Sequence, residues 1–220
     1  MHNDRDTQTY FTRAASLFDS LYSEEKMSPL MRIVNKHLRR DIYERFLLTM
    51  GHIERHRLAT VLDVGCGSGR YAAAMGVRGV ERVVGIDFSP AMIELARTHT
   101  KDIPNADRIY SFQCGDYMQF ETEERFDLVL AMGVFDYVAD PVAMLSKMRA
   151  QARHSVLVSF PSVSWYRTPV RKVRYALKKC PVYFYTRDRI QDITARAGFS
   201  SVEIQKIRGA GMDYVVALSA

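Results

Sequence analysis

The chain has 220 residues, with 31 Lys and Arg against 25 Asp and Glu, a formal net charge of +6. Its 47% hydrophobic and 25% charged content is that of an ordinary globular protein and excludes a disordered chain. The charge excludes a uniformly basic nucleic-acid coat, because residues 161–190 hold eight basic side chains and one acidic one, more than the whole excess.

At this length one domain, 1–220, is expected, with ample material for a core. Met1 to Tyr10 is polar and charged and does not read as a signal peptide. No run approaches the roughly 18 apolar residues of a membrane span, so a cytoplasmic location is expected. Cys66, Cys114 and Cys180 form no C-x-x-C or Cys/His cluster. They argue against a disulfide framework or a structural zinc, and no metal site is expected.

In chain order, residues 8–50 read as helical, with Phe11, Ala15, Phe18 and Tyr22 at helical spacing and a second stretch from Pro29 to Met50. These lie in an N-terminal helical cap, 1–57. From 58 to 160 short β-rich apolar runs alternate with helical stretches. The strand candidates are Thr60 to Val64, Arg82 to Ile86, Ile109 to Cys114, Phe126 to Met132 and Ser155 to Phe160. The helix candidates are Arg70 to Val77, Pro90 to His99 and Pro141 to Ala152. This rhythm predicts a parallel sheet with helices on both faces. A last helix from Thr186 to Ala197 and strands Ser201 to Ile207 and Tyr214 to Leu218, joined by a short turn, predict a terminal antiparallel hairpin over 186–220.

The most informative segment is Asp63-Val64-Gly65-Cys66-Gly67-Ser68-Gly69-Arg70, a strand running into a glycine turn and then a helix. The glycines permit a sharp turn and close approach of a ligand to the main chain. A dinucleotide fingerprint starting at Gly65 needs glycine at position 70, where arginine stands, and no G-K-[ST] of a nucleotide-triphosphate loop occurs. An acid two residues before the first glycine repels phosphate and suits an amino group.

Here the chain resembles the class I S-adenosylmethionine-dependent methyltransferases, over roughly residues 58–160. Asp63, Gly65, Cys66, Gly67 and Gly69 resemble the family's first motif, which implies that their backbone holds the methionine end of the cofactor. Asp87, ending Val83-Val84-Gly85-Ile86-Asp87, matches the acid that takes the ribose hydroxyls. Phe88, Ser89 and Met92 then fall beside the adenine. Gly115, Asp116 and Tyr117 match the place where a carboxylate receives the adenine amino group. Phe126 to Gly133 looks like the fourth-strand motif, which puts Met132 beside the transferred methyl. The resemblance implies a Rossmann-like doubly wound α/β fold with a seven-stranded, mostly parallel sheet, and S-adenosyl-L-methionine as cofactor. The residue types agree with this chemistry, since ribose hydroxyls and an exocyclic amine are best met by carboxylate acceptors.

After the fourth strand the sequence reads Val134-Phe135-Asp136-Tyr137-Val138, without the Asn/Asp-Pro-Pro-Tyr/Phe motif that family members use on exocyclic base or amide nitrogens. Tyr137 is a candidate acceptor contact. Asp136 could face the acceptor too, but a helix-preceding acid and a core tyrosine are the plainer readings of Asp136 and Tyr137, and His154 reads as a surface or capping residue before a strand, so no catalytic base is named. In the insert 161–185, Arg167, Arg171, Arg174 and Lys178 form a basic stripe beside apolar Tyr166, Val170, Val173 and Leu177, with Trp165 at its entrance. This stripe over 166–179 reads as a solvated face, as a lid whose arginines clamp an anionic acceptor, as a contact with anionic lipid, or as an RNA contact, for which it is small. The expected function is methyl transfer to a small, anionic acceptor. The alternative is a cofactor-binding protein, or a methyltransferase docked on RNA or an anionic membrane. Cap and basic insert together also give the layout a distant similarity to magnesium-protoporphyrin methyltransferases. The acceptor atom and the oligomeric state stay open at this point.

Overall fold

The computed structural model describes residues 29–163, 182–207 and 213–220. Its elements are α1 (Pro29–His56), β1 (Thr60–Val64), α2 (Arg70–Val77), β2 (Arg82–Asp87), α3 (Pro90–Thr100), α4 (Ala106–Ile109), β3 (Tyr110–Cys114), β4 (Phe126–Ala131), α5 (Pro141–Gln151), β5 (Ala152–Phe160), α6 (Arg187–Arg196), β6 (Val202–Lys206) and β7 (Tyr214–Ser219). The seven strands form one sheet in the order β3-β2-β1-β4-β5-β7-β6. β1 pairs in parallel with both β2 and β4, while β7 is antiparallel to β5 and β6. The expected doubly wound sheet with a terminal antiparallel hairpin is what the chain forms. Strand order reverses between β1 and β4, the place where open α/β sheets bind ligands.

Apolar runs in the central strands follow from burial on both faces. In β4, Leu128 and Leu130 pack into one cluster, with Met50, Ile53, Val61 and Met75. Phe126, Val129 and Ala131 pack into the other, with Leu145, Met148, Val158 and Ile190. Helix starts are set by capping: Ser89, Asp140 and Thr186 accept hydrogen bonds from the amides of Met92, Ala143 and Arg189, and Pro90 and Pro141 occupy first turns.

Several boundaries differ from the sequence expectation, each because tertiary packing extends or trims an element. α1 runs past Met50 to His56, since Met50 and Ile53 are buried against the sheet. Ile109 ends a short helix instead of opening β3. β5 begins at Ala152, so His154 lies inside that strand, exposed, rather than before it. β4 stops at Ala131, leaving Met132 just beyond it. Phe11, Ala15, Phe18, Tyr22, Trp165 and the basic stripe lie outside the described residues. No helix among the described residues is long and apolar enough to cross a membrane.

α1 crosses its face of the sheet antiparallel to β5. Arg45 Nη1 reaches Ser159 Oγ, His52 Nε2 lies 2.9 Å from Ser155 Oγ, and the His56 ring is 4.8 Å from that of His154. Eleven helical residues and five strand residues both span about 16 Å, which is why the three contacts stay in step. At the far end the rings of His52, His56 and His154 lie in succession, each tilted by about 50° to the next. Burial, followed by the charges of His56, His154 and Arg55, lowers the His52 pKa from 6.5 to about 4.

The folded protein therefore keeps His52 neutral where an unfolded chain would protonate it, and stability is lost as pH falls from about 6.5 towards 4. After discounting for the ring's partial exposure, this amounts to about 1 kcal/mol. Denaturant unfolding of wild type and His52→Gln at pH 7 and pH 5 is expected to show a smaller loss in the variant.

Candidate functional site

The glycine turn between β1 and α2 sits at the carboxyl edge of the sheet, beside the point where strand order reverses. Gly65 and Cys66 donate their amides to Ile86 O at 2.7 and 3.0 Å, fastening the turn to the end of β2. Asp87, the last residue of β2, completes the attachment: its Oδ2 accepts from Gly67 N at 3.0 Å and its Oδ1 from Ser89 N at 2.9 Å. One carboxylate thus holds the glycine turn and the start of α3 together. From α3, His99 Nδ1 lies 2.7 Å from Ser68 O, a further brace on the turn that the motif reading did not single out.

Two glycines in the turn have different jobs. Both hold left-handed backbone, Gly67 at φ 53° and Gly69 at φ 73°. A Cβ on Gly69 would stand 2.8 Å from the backbone Cα of Ala96, so glycine is required there for packing of α2 on α3. A Cβ on Gly67 would meet no heavy atom of the described residues within 4 Å. That space is open for a ligand lying against the main chain.

Asp63 is buried at the end of β1, and its Oδ2 has no hydrogen-bond partner among the described residues. Burial, reinforced by the charge of Asp87, raises its pKa to about 8. Burial also raises Asp87, with the amides of Ser89 and Gly67 opposing the shift. Burial, then Asp63 and Asp87, pushes the Cys66 thiol well up, so it is an inert packing group. An acid buried beside another acid, with an oxygen left open, fits a cationic partner that the turn itself does not contain.

At the end of β3, Asp116 is exposed; its Oδ1 caps the short turn Tyr117–Gln119 by accepting from Met118 N at 2.8 Å. Gly115 N donates to Asp87 O at 3.0 Å, so the acids at 87 and 116 are tied in position relative to each other. Phe88 is partly buried and Met92 buried at the start of α3.

Two expected contacts take different roles. The Tyr117 side chain lies in the core, with its hydroxyl 2.6 Å from Gln151 Oε1 and Lys147 Nζ over its ring, because a turn one residue after Asp116 points it beneath the sheet. Only its main chain remains at the site. Ser89 is fully buried, and its hydroxyl caps α3. Tyr137 is partly buried in the loop after β4. The neighbouring Asp136 carbonyl accepts from Tyr183 N at 2.8 Å, which fixes that loop to the chain entering α6. Arg167, Arg171 and Arg174 lie outside the described residues. Among those described, no group of His, Cys, Asp and Glu is arranged to hold a metal ion.

The motif reading missed a second polar group on the same edge. Arg45 of α1 approaches Ser159 of β5 and Asp213 at the start of β7, and the Ser159 hydroxyl accepts from Gly133 N at 2.8 Å. Its members come from three distant stretches with no shared motif.

A seven-stranded sheet in this order, with a glycine turn after β1 and acids ending β1 and β2, defines the class I methyltransferase fold. Residues 61–155 match the family described as a methyltransferase domain. Curated relatives include a ubiquinone biosynthesis O-methyltransferase of Histophilus somni, 31% identical over 107 residues, 47% of this chain and 44% of the relative. Another, from Hydrogenovibrio crunogenus, is 25% identical over 70% of this chain and 66% of its own length. The chain spans about half the length of most of these relatives. Among solved structures, magnesium protoporphyrin IX methyltransferase of Synechocystis PCC 6803 with bound S-adenosylhomocysteine shares the fold, with TM-score 0.78, 18% identity and 97% of both chains covered.

The two glycines and Asp63 generate separable outcomes. Gly69→Ala is expected to lower stability by about 2 kcal/mol or more through backbone overlap with Ala96, whereas Gly67→Ala costs about 1 kcal/mol and instead obstructs the ligand space. Thermal unfolding with and without S-adenosylhomocysteine separates them. Because the Asp63 pKa is higher folded than unfolded, its burial destabilises the ligand-free protein increasingly as pH rises from about 4 to 8. Asp63→Asn is expected to be more stable than wild type at pH 8, by on the order of 2 kcal/mol in denaturant unfolding, while binding cofactor less well.

Proposed function

We propose that this protein binds S-adenosylmethionine at the carboxyl edge of β1, β2 and β3 and transfers its methyl group to an oxygen of a small, anionic acceptor. The observation that carries this reading is the buried acid pair at the ends of β1 and β2 beside a glycine turn with open space at Gly67. The names of the curated relatives support oxygen as the acceptor atom.

The residues fit that cofactor chemically. Asp63, buried with an open oxygen, suits its amino group, and ionisation of Asp63 on meeting a cation removes the cost of leaving that acid unpaired. The carboxylate of Asp87 has lone pairs beyond those engaged by Gly67 and Ser89 and suits the ribose hydroxyls. Asp116 keeps its second oxygen for the adenine amine, with Phe88 and Met92 as the apolar neighbours of the ring. When bound, the cofactor supplies a methyl group activated on a sulfonium.

The chain's own contribution is positioning. Backbone amides and carboxylates fix both ends of a nucleoside–amino-acid ligand, and the loop after β4, Met132 to Val138, forms the wall next to it. In-line displacement gains most of its acceleration from holding the reacting atoms in line, so a rigid turn braced by Asp87 and His99 is what the chemistry needs.

Calorimetry is expected to show S-adenosylhomocysteine binding to wild type and a loss of at least about tenfold in Asp87→Ala, since a buried acceptor is removed and the turn loses its brace. Absence of binding to wild type would contradict the reading. Incubation of a cell extract with methyl-labelled S-adenosylmethionine and the protein, followed by mass identification, is expected to yield a labelled methyl ether or ester of an acidic small molecule.

A further inference from the structure

The acids of the nucleoside site and the second polar group occupy one face and one edge of the sheet. Side chains alternate along strands, and Val61, Val83, Leu157 and Val215 all belong to the apolar cluster beneath α1. Asp63, Asp87 and Ser159 lie an even number of residues after Val61, Val83 and Leu157, and Asp213 two residues before Val215 on the antiparallel strand, so all four share that face. Across the sheet they run in the order Asp87, Asp63, Ser159, Asp213, with β4 between the middle two. Strands stand roughly 4.8 Å apart, so Ser159 lies about 10 Å across the sheet from Asp63, two residues nearer the carboxyl edge in register and on the opposite side from Asp87. A nucleoside with its ribose at Asp87 and its amino-acid end at Asp63 leaves its acceptor on the β4 and β5 side.

Arg45 fills that position. Its Nη1 lies 3.4 Å from Ser159 Oγ and 4.0 Å from Asp213 Oδ2. Gly133, which follows β4 by two residues, presents no side chain to it: a Cβ there would stand 3.6 Å from Nη1. The Arg45 and Asp213 side chains are only 17% and 10% exposed, so this charge pair is largely withdrawn from water at the edge where ligands bind. Asp213 Oδ1 is buried with no hydrogen-bond partner among the described residues.

We propose that Arg45 is the acceptor anchor: its guanidinium receives a carboxylate of the acceptor and sets the acceptor against the end of β4. This rests on the methyltransferase reading above and names the chemistry of its second substrate. A planar guanidinium matches a carboxylate in two parallel hydrogen bonds, which fix orientation as well as position. Asp213 holds the guanidinium in place before the acceptor arrives and competes with the incoming carboxylate for its charge. An Arg45 that served only to pair with Asp213 would make the two substitutions equivalent; an anchoring Arg45 makes them opposite.

The test uses the full chain saturated with S-adenosylhomocysteine and saturation-transfer NMR with benzoate and its neutral isostere benzamide as probes. Wild type is expected to bind benzoate and not benzamide. Arg45→Met is expected to abolish benzoate binding, Arg45→Lys to weaken it about tenfold because the fork is lost, and Asp213→Asn to retain or tighten it. Wild type that binds S-adenosylhomocysteine but not benzoate, or binds both probes alike, overturns the anchor. So does an Arg45→Met protein that keeps benzoate binding. If Arg45→Met does not fold, Arg45→Lys and Asp213→Asn decide, and equal losses in both overturn the proposal. S-adenosylhomocysteine calorimetry on the same proteins separates the two levels: its failure on wild type removes the cofactor reading itself, whereas retained cofactor binding with unchanged benzoate binding in the Arg45 variants removes only the anchor.

Discussion

The Asp87 carboxylate is the joint on which the site depends. It ends β2, fixes the start of α3 through Ser89 two residues on, and grips the glycine turn some twenty residues earlier through Gly67, so these pieces acquire one geometry. A buried carboxylate that accepts backbone amides exchanges hydration for directed hydrogen bonds, and those bonds oppose the rise in pKa that burial imposes. The turn is consequently rigid before any ligand arrives, which suits a reaction that gains by alignment.

Asp63 stands in contrast. It is equally buried, lies close enough to Asp87 to feel its charge, and keeps an oxygen without a partner among the described residues. Such an arrangement weakens the ligand-free protein at neutral and higher pH. Natural sequences tolerate local instability where a ligand relieves it, and the pair Asp63 and Asp87 divides the labour: one acid builds the turn, the other waits for a cation.

α1 links the two ends of the sheet. Its apolar residues Met50 and Ile53 seal one face of the core, and its polar residues meet β5 at both extremes, Arg45 at the carboxyl edge and His52 and His56 at the other. A helix anchored along its length by burial can deliver a charged side chain to a site at one end without adding a loop there. Under the anchor proposal the cap belongs to the acceptor side of the chemistry, and the apolar stripe is the reason Arg45 arrives in register with Ser159.

The seven strands, their mostly parallel order, the glycine turn and the acids at 63, 87 and 116 were legible in the sequence. Each rests on a local pattern: apolar runs buried on two faces, glycines adjacent to a strand end, an acid at a fixed offset. Element ends were less legible, as with Ile109 and Ala152, because packing decides how far a helix or strand continues. Side-chain direction in irregular turns was not legible at all, and Tyr117 shows why: beside Asp116 in sequence, it faces the core. The +6 excess is concentrated by sequence in 161–190, yet Arg45, a cationic side chain largely withdrawn from water at the carboxyl edge of the sheet, comes from α1, far earlier in the chain. The sequence by itself determined the fold class and the acids at the strand ends, because those follow from short-range periodicity and spacing. Only the tertiary structure brought Arg45, Ser159 and Asp213 together, because that meeting depends on a helix crossing two strands that are far from it along the chain.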